Sequence, residues 1–480
     1  MASGQQRHLA LLTDFGSTYT KVCAVDAERG QLVGRAHAPT TVDTDVAVGW
    51  HQALGKLQQV HGVDLSHVSV QLACSSAGGG LRMVVVGFVP RLTAKAGQIA
   101  ALGAGAKVVG TYSYRLTDAQ VAEIRDVSPD ILLLCGGTDG GDTVTAITNA
   151  RKLAVAGPGC VTVFAGNRDA TGEVQEAYAA AGRELRSTEN VMAEIGEVNA
   201  RGIAELIREV FADHVIKAKG IDRVRELTGS IVMPTPAAVY AGLELLSNGS
   251  RGRDGLGDLV AVDVGGATTD VYSFSLGKPT RPDVFLRGLR EPYGKRTVEG
   301  DMGVRLNAPS VVAAAEACGL EVALVARDNF RTLAMELPSR RTWLPTTDEE
   351  REVDVALASV AVGVALRRHA GRLSEAYTGD GVRWMQEGKD LSEVTTCIGT
   401  GGPLVHNGAA EAILEEGLRV ARGDPGALVP RRCSIVLDRS YCMYAVGLLR
   451  RINPLAALGL ARGTLMPLEE SGRGGRFFLL

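Results

Sequence analysis

LLTDFGSTYTKV, residues 11–22, has the layout of a hairpin built around a carboxylate. Apolar or small residues lead into Asp14, then Gly16, Ser17 and Thr18 form a turn, and Lys21 opens a second apolar run, VCAV. A carboxylate at a strand end can hold magnesium through water, while a Gly/Ser/Thr turn offers backbone N–H groups and hydroxyls to phosphate oxygens. Lys21 adds a point charge beside them. A lone Asp-x-Gly turn also joins hairpins that bind nothing. Here the pattern recurs in LVAVDVGGATTDVYSF, residues 259–274, where Asp263, Gly265, Gly266, Ala267, Thr268 and Thr269 stand ahead of another strand. Two such hairpins facing one nucleotide is a better account than two unrelated turns sharing a design.

Around these hairpins lie 480 residues, enough for two or three domains. An apolar fraction of 45% and a charged fraction of 22% describe an ordinary globular chain, and 59 glycines with only 5% aromatics suit an α/β protein with many strand-to-helix turns. The formal charge of −3 gives no electrostatic case for nucleic acid or an anionic membrane. Paired arginines, such as Arg367 with Arg368, read as solvated faces and helix ends. The apolar run before Asp14 is too short for a secretion signal, and nowhere do about 18 uncharged apolar residues stand together. A cytoplasmic protein with no membrane partner is therefore expected. Cys23, Cys74, Cys135, Cys160, Cys318, Cys397, Cys433 and Cys442 form no C-x-x-C pair and sit mostly in apolar strands, which predicts reduced core thiols and argues against zinc or an iron–sulfur cluster within one chain. A cluster shared across a homodimer would need fewer ligands per chain.

Taken in order, the first unit reads strand, strand, strand, helix (Asp45 to His61), strand (68–76). From Gly78 to about Thr228, strand-like runs alternate with helical stretches, the pattern of a doubly wound parallel sheet. CGGTDGGD, residues 135–142, follows an apolar strand, where such sheets place ligands; a flexible strand-to-helix turn or a patch for a protein partner is the commoner reading. Met192 to Glu226 reads as amphipathic helix. A Pro-Thr-Pro corner at 234–236 then opens a helix rich in small residues. In the second unit, strand-like runs at Val271 to Leu276 and Val284 to Leu289 follow the hairpin. Glu299 and Asp301 then either cap a helix or reach magnesium or ribose. Asp348 to Leu373 reads as a long helix. Gly399, Gly401, Gly402 and Pro403 make a turn through which backbone could approach a base or sugar, or simply pack tightly.

Five segments, in the right order, resemble the actin, sugar-kinase and heat-shock-chaperone ATPase superfamily. LLTDFGSTYTK is similar to its first phosphate motif, GSIVMPTPAAVYAGL to its first connecting helix, VAVDVGGATTDV to its second phosphate motif, IGTGGPLV to its adenosine motif and YCMYAVGLLRRINPLAALGLA to its second connecting helix. The resemblance implies a two-lobed actin-like (ribonuclease H-like) α/β ATPase fold with an inserted α/β doubly wound module in the first lobe. The expected parts are 1–79, first lobe; 80–228, insert; 229–255, connecting strand and helix; 256–439, second lobe; and 440–480, second connecting helix and C-terminus.

By matching positions, the resemblance implies ATP and Mg2+ as cofactors, with Asp14 and Asp263 as metal-organising and catalytic carboxylates and Asp263 the better general base. Lys21 would contact phosphate, Thr268 and Thr269 the γ-phosphate, and Gly399, Gly401 and Gly402 the adenosine. Heat-shock chaperones carry a glutamate before the proline of the first connecting helix; Met233 stands there instead, which predicts slow hydrolysis. TDFGSTYTK, DVGGATTDVYSF, TVEGDMGVRLNA and ILLLCGGTDGGD together resemble the MutL (GlmL) proteins associated with glutamate mutase. That resemblance implies an accessory ATPase, plausibly a reactivating chaperone, whose partners are ATP or ADP and the subunits of an adenosylcobalamin-dependent mutase. A small-molecule kinase, a hydantoinase-type amide hydrolase and an iron–sulfur activator of radical dehydratases are rival readings; no separate sugar-kinase signature is found, and the cysteine pattern disfavours the last.

Overall fold

The computed structural model describes residues 8–41, 44–76, 80–215, 228–229, 231–317, 328–340, 343–379 and 381–467. The chain divides into two compact units, residues 1–255 with 288–295 and 443–463, and residues 256–287 with 296–442 and 464–480.

In the first unit β1 (Leu9–Phe15), β2 (Tyr19–Asp26), β3 (Leu32–Pro39) and β4 (Val68–Ser75) are followed by β5 (Leu81–Val86), β6 (Ala106–Tyr112), β7 (Ile131–Leu134), β8 (Val161–Phe164), β9 (Leu185–Ser187) and β10 (Ile231–Pro234). They form two sheets, ordered β10-β4-β1-β2-β3 and β6-β5-β7-β8-β9. Every residue of β1 is buried, as expected of a central strand covered on both faces. The second sheet is wholly parallel. Helices separate its strands because parallel neighbours need long crossovers. Its two faces have different fates. Leu81, Met83 and Val85 join the apolar core that contains Leu11 and Phe15, whereas Val84 and Val86 belong to a separate core with Leu132 and Leu134. Strand alternation alone produces that division.

The second unit contains β11 (Leu259–Val264), β12 (Thr269–Phe274), β13 (Val284–Arg287), β14 (Gly294–Glu299), β15 (Arg372–Thr378), β16 (Gly381–Glu387), β17 (Thr396–Thr400), β18 (Ser434–Asp438) and β19 (Leu465–Pro467). Its main sheet is ordered β14-β12-β11-β17-β18-β19, and β13-β16-β15 make a small sheet of their own. From the third strand to the fifth, both main sheets read third, second, first, fourth, fifth; in each the second strand is antiparallel to the first, and the fourth and fifth run parallel to it. The α/β class and the repeated actin-like topology expected from the hairpins are therefore present in each unit.

Two local expectations need correction. Met192 to Ala200 is not helical: Met192 N donates to Asn190 Oδ1 (3.0 Å) and Asn199 N to Val191 O (2.8 Å), so helix begins at Arg201. Residues 216–226 of that expected helix lie outside the described residues. The long helix is Asp348–His369, because Gly371 turns the chain into β15. The strand-like run at 284–289 is a strand over Val284–Arg287, in the small sheet, while the polar β14 takes third place in the second main sheet.

Candidate nucleotide site

Register places the first carboxylate. Asp14 sits opposite Lys21 on antiparallel β2 and opposite Cys74 on parallel β4. Lys21 Nζ lies 2.8 Å from Asp14 Oδ2, and Cys74 Sγ lies 3.7 Å from Oδ1. β10 runs beside β4 with Pro234 opposite Ser75, so the next residue, Thr235, arrives at the same strand end and donates its hydroxyl to Asp14 Oδ1 at 2.6 Å. Asp14 is only 1% exposed, while Ser17 and Thr18 just beyond it are exposed. Burial, and then the charge of Asp14, push the Cys74 thiol well up, so it stays protonated and inert. The result is a buried carboxylate that accepts from Lys21, Thr235 and the Cys74 thiol, beside an open polar turn.

The second hairpin repeats the turn but not the charges. Gly265 N donates to Thr268 O at 2.9 Å, as Gly16 N donates to Tyr19 O at 3.1 Å. A Cβ on either glycine would sit under 3.0 Å from that carbonyl oxygen, at 2.8 and 2.6 Å, so both turns need glycine. Opposite Asp263 stands Asp270 where the first hairpin has Lys21. Arg296 of β14 supplies the missing cation, with Nη2 3.2 Å from Asp270 Oδ1 and its guanidinium 5.8 Å from the Tyr272 ring. Burial opposes the Arg296 charge, but Asp270, Tyr272 and Asp263 more than offset it and hold its pKa above the ordinary value. The turn itself is braced from residues 302–307. Arg305 N and Leu306 N donate to Gly266 O (2.9 and 2.8 Å), and Asn307 Nδ2 donates to Ala267 O and Gly300 O (2.8 and 2.9 Å). Thr269 is fully buried and its hydroxyl donates to Met302 O at 2.7 Å, which makes it a brace, whereas Ala267 is exposed and Thr268 partly so.

β17 runs parallel beside β11 with Thr400 opposite Asp263, so the glycine turn is delivered to the second carboxylate. Gly401 has φ +101°, and a Cβ there would lie 2.2 Å from Val264 O and 2.7 Å from Asp263 Oδ1. Gly399 is filled by Leu414, 2.6 Å from its would-be Cβ. Gly402 meets nothing within 4 Å, and Pro403 follows it in the first turn of the helix Gly402–Val405. Backbone contact and positive φ therefore demand glycine at 401, only the movable ends of Leu414 and Leu404 crowd 399, and Gly402 faces open space. Behind the turn, Thr400 Oγ1 donates to buried Asp438 Oδ2 at 3.1 Å.

The family model for the MutL protein matches residues 10–465. The chain belongs to the MutL protein family. It is 42% identical over 464 residues to Protein MutL of Clostridium tetanomorphum, covering 95% of this chain and 99% of that one. Among solved structures it is distantly similar to acetone carboxylase in its nucleotide-free form, with a TM-score of 0.41, 15% identity and coverage of 92% of this chain and 70% of that chain. It is also similar to xylulose kinase from Bifidobacterium adolescentis, with a TM-score of 0.28, 13% identity and coverage of 96% and 94%.

In this MutL-family chain Glu299 and Asp301 do not cap a helix, since the nearest one begins at Ala308. Both are gripped by Arg368 Nη1, at 3.0 and 2.7 Å, from the last turn of the helix Asp348–His369. The hydrogen bond from Arg368 lowers the Asp301 pKa, while burial raises that of Glu299 despite the same arginine. Arg368 does lie at a helix end, as expected, but it is a clamp rather than a merely solvated charge.

Within the first unit the structure thus gathers Asp14, Gly16, Ser17, Thr18 and Lys21. Within the second it gathers Asp263, the turn 265–269, Gly401 and Gly402. Thr235, Arg296, Asn307, Arg368 and Asp438 were not singled out from the sequence. The Pro-Thr-Pro corner was the one available signal, marking Thr235 as the start of a helix. Among the described residues, no helix is long and apolar enough to cross a membrane.

Proposed function

We propose that this MutL-family protein binds magnesium-ATP and serves as an accessory or reactivating protein for an adenosylcobalamin-dependent carbon-skeleton mutase such as glutamate mutase. The observation that carries the nucleotide reading is the repeated element: a strand-end aspartate, a glycine turn closed by the same N–H to carbonyl bond, and the same strand order around it, once in each unit.

The residues fit the group. Asp14 and Asp263 are carboxylates suited to a hydrated divalent cation. Ser17 and Thr18, with Gly266 to Thr268, offer N–H groups and hydroxyls of the kind that cradle phosphate, and Lys21 adds charge. Gly402 leaves room for a base or sugar. Magnesium, when bound, neutralises developing charge on the phosphoryl oxygens. Asp263 is the carboxylate we assign to orient and accept a proton from attacking water. Met233, buried at 1% exposure and opposite Cys74, offers no proton acceptor at that corner, in keeping with slow turnover. Residues 80–228 are the part we assign to the partner, and nucleotide can act on that partner only through states it binds with different affinity.

The test is capture of partners from native cell extract by the full chain, with and without magnesium-ATP. A cobalamin mutase subunit whose recovery changes with nucleotide supports the proposal. Recovery of the mutase indifferent to nucleotide, or phosphate release at about 10 per second stimulated by a small metabolite, overturns it.

A further inference from the structure

Thr235 has an unusual position. It is the first residue of the helix Thr235–Asn248, and its hydroxyl donates at 2.6 Å to Oδ1 of the carboxylate that leads the first hairpin. The other carboxylate oxygen takes Lys21 at 2.8 Å. Asp14 is 1% exposed, so these two donors, with the Cys74 thiol, hold it in a low-dielectric setting where each hydrogen bond matters.

The helix beyond Thr235 is not free to move alone. A Cβ on Gly447 would lie 1.8 Å from Ala238 O, and one on Gly242 would lie 2.7 Å from Met443 O, so Thr235–Asn248 and Met443–Leu449 touch backbone to backbone. Arg450 Nη1 adds bonds to Ala241 O (2.9 Å) and Glu244 Oε2 (2.5 Å). Close-packed interfaces of this kind shift as units rather than deform. A change at the Asp14 carboxylate that pulls on the Thr235 hydroxyl is therefore felt by both helices.

We infer that Thr235 is a positioning residue that reports the ligand state of Asp14 to the connecting-helix pair. This rests on the reading of Asp14 as a magnesium-ATP carboxylate. When Asp14 shares its charge with hydrated magnesium, Oδ1 becomes a weaker acceptor and its orientation is set by the new partner. Thr235 then either follows Oδ1 or releases it, and the helix N-terminus moves accordingly. Asp14 and Thr235 stand 221 residues apart, and one hydrogen bond couples them.

The test uses the full chain as wild type, Thr235→Val, Thr235→Ser and Asp14→Asn, with magnesium and a non-hydrolysable ATP analogue as the probe. Affinity is measured by titration calorimetry, and amide hydrogen exchange is followed over residues 235–248 and 443–449. Wild type and Thr235→Ser should show a nucleotide-dependent change in exchange in both helices. At saturating analogue, Thr235→Val should lose most of that change; if it unfolds, Thr235→Ala gives the same reading. A full wild-type response in the variant lacking the hydroxyl overturns the relay alone. Wild-type affinity in Asp14→Asn overturns the nucleotide reading, and the relay with it.

Discussion

Lys21 and Asp270 occupy the same place in the two hairpins, each directly across an antiparallel ladder from the strand-end aspartate. The first hairpin thus neutralises its own carboxylate, while the second sets two carboxylates side by side and borrows Arg296 from the next strand. One turn geometry therefore serves two electrostatic settings.

Replacing Lys21 by Met should leave the buried Asp14 carboxylate without its cation. Breaking a buried pair costs about 3–5 kcal/mol. The Lys21 side chain is 19% exposed, so a loss of about 2–3 kcal/mol is expected without nucleotide, read by urea unfolding. Affinity for magnesium-ATP should fall at least about tenfold. Unchanged stability would show that solvent already screens the pair.

Gly401 and Gly402 should respond oppositely to alanine. At 401 the added Cβ meets Val264 O and the backbone has positive φ, so a loss of about 3 kcal/mol or more is expected in thermal or chemical unfolding. At 402 it meets nothing, so stability should change by less than about 0.5 kcal/mol while nucleotide affinity drops. A Gly402→Ala protein that binds ATP normally would remove Gly402 from the site.

Asn307→Ala should loosen the second turn by deleting the amide that holds Ala267 O and Gly300 O. A buried hydrogen bond contributes about 1 kcal/mol, and one open to water contributes less. Because the turn is solvent-facing, the expected signature is faster amide exchange at residues 265–268 and weaker ATP binding, with the global unfolding midpoint little changed.

The two hairpins were legible because their information is local: an aspartate, a glycine two residues on, and a carbonyl three residues beyond that. The alternating strands and helices between residues 81 and 187 were legible for the same reason, β5, β7 and β8 being short, largely buried apolar runs. β14 was not, since Lys295 and Arg296 are buried there in a sequence that reads as polar turn, and only pairing of the kind Arg296 makes with Asp270 permits it. β15 and β16 were missed because RLSEAYT and GVRWMQE mix charged and aromatic residues without clean alternation. Contacts such as Thr235 with Asp14, or Arg368 with Glu299, join residues far apart in sequence and leave no local trace.

Acid should separate Arg368→Gln from wild type in a defined way. Asp301 has a folded pKa below its usual 3.8, so its stabilisation is complete above that value and is lost as pH falls through the folded pKa. Glu299 has a folded pKa above its usual 4.5, so its ionisation opposes folding as pH rises past that value, and Arg368 limits the cost. Removing Arg368 forfeits both effects. The stability gap should be present near pH 7, under about 1 kcal/mol given the exposure of Arg368, and should shrink below about pH 4, as followed by denaturant unfolding at each pH. A gap that widens in acid would contradict the pairing.

Calorimetric titration of magnesium-ATP into wild type, Asp14→Ala and Asp263→Ala is the most direct measurement. A single nucleotide per chain in wild type, with affinity lowered at least about tenfold in each variant while circular dichroism stays unchanged, is the predicted result. Either alanine variant binding as wild type does would contradict the assignment of its carboxylate to the nucleotide.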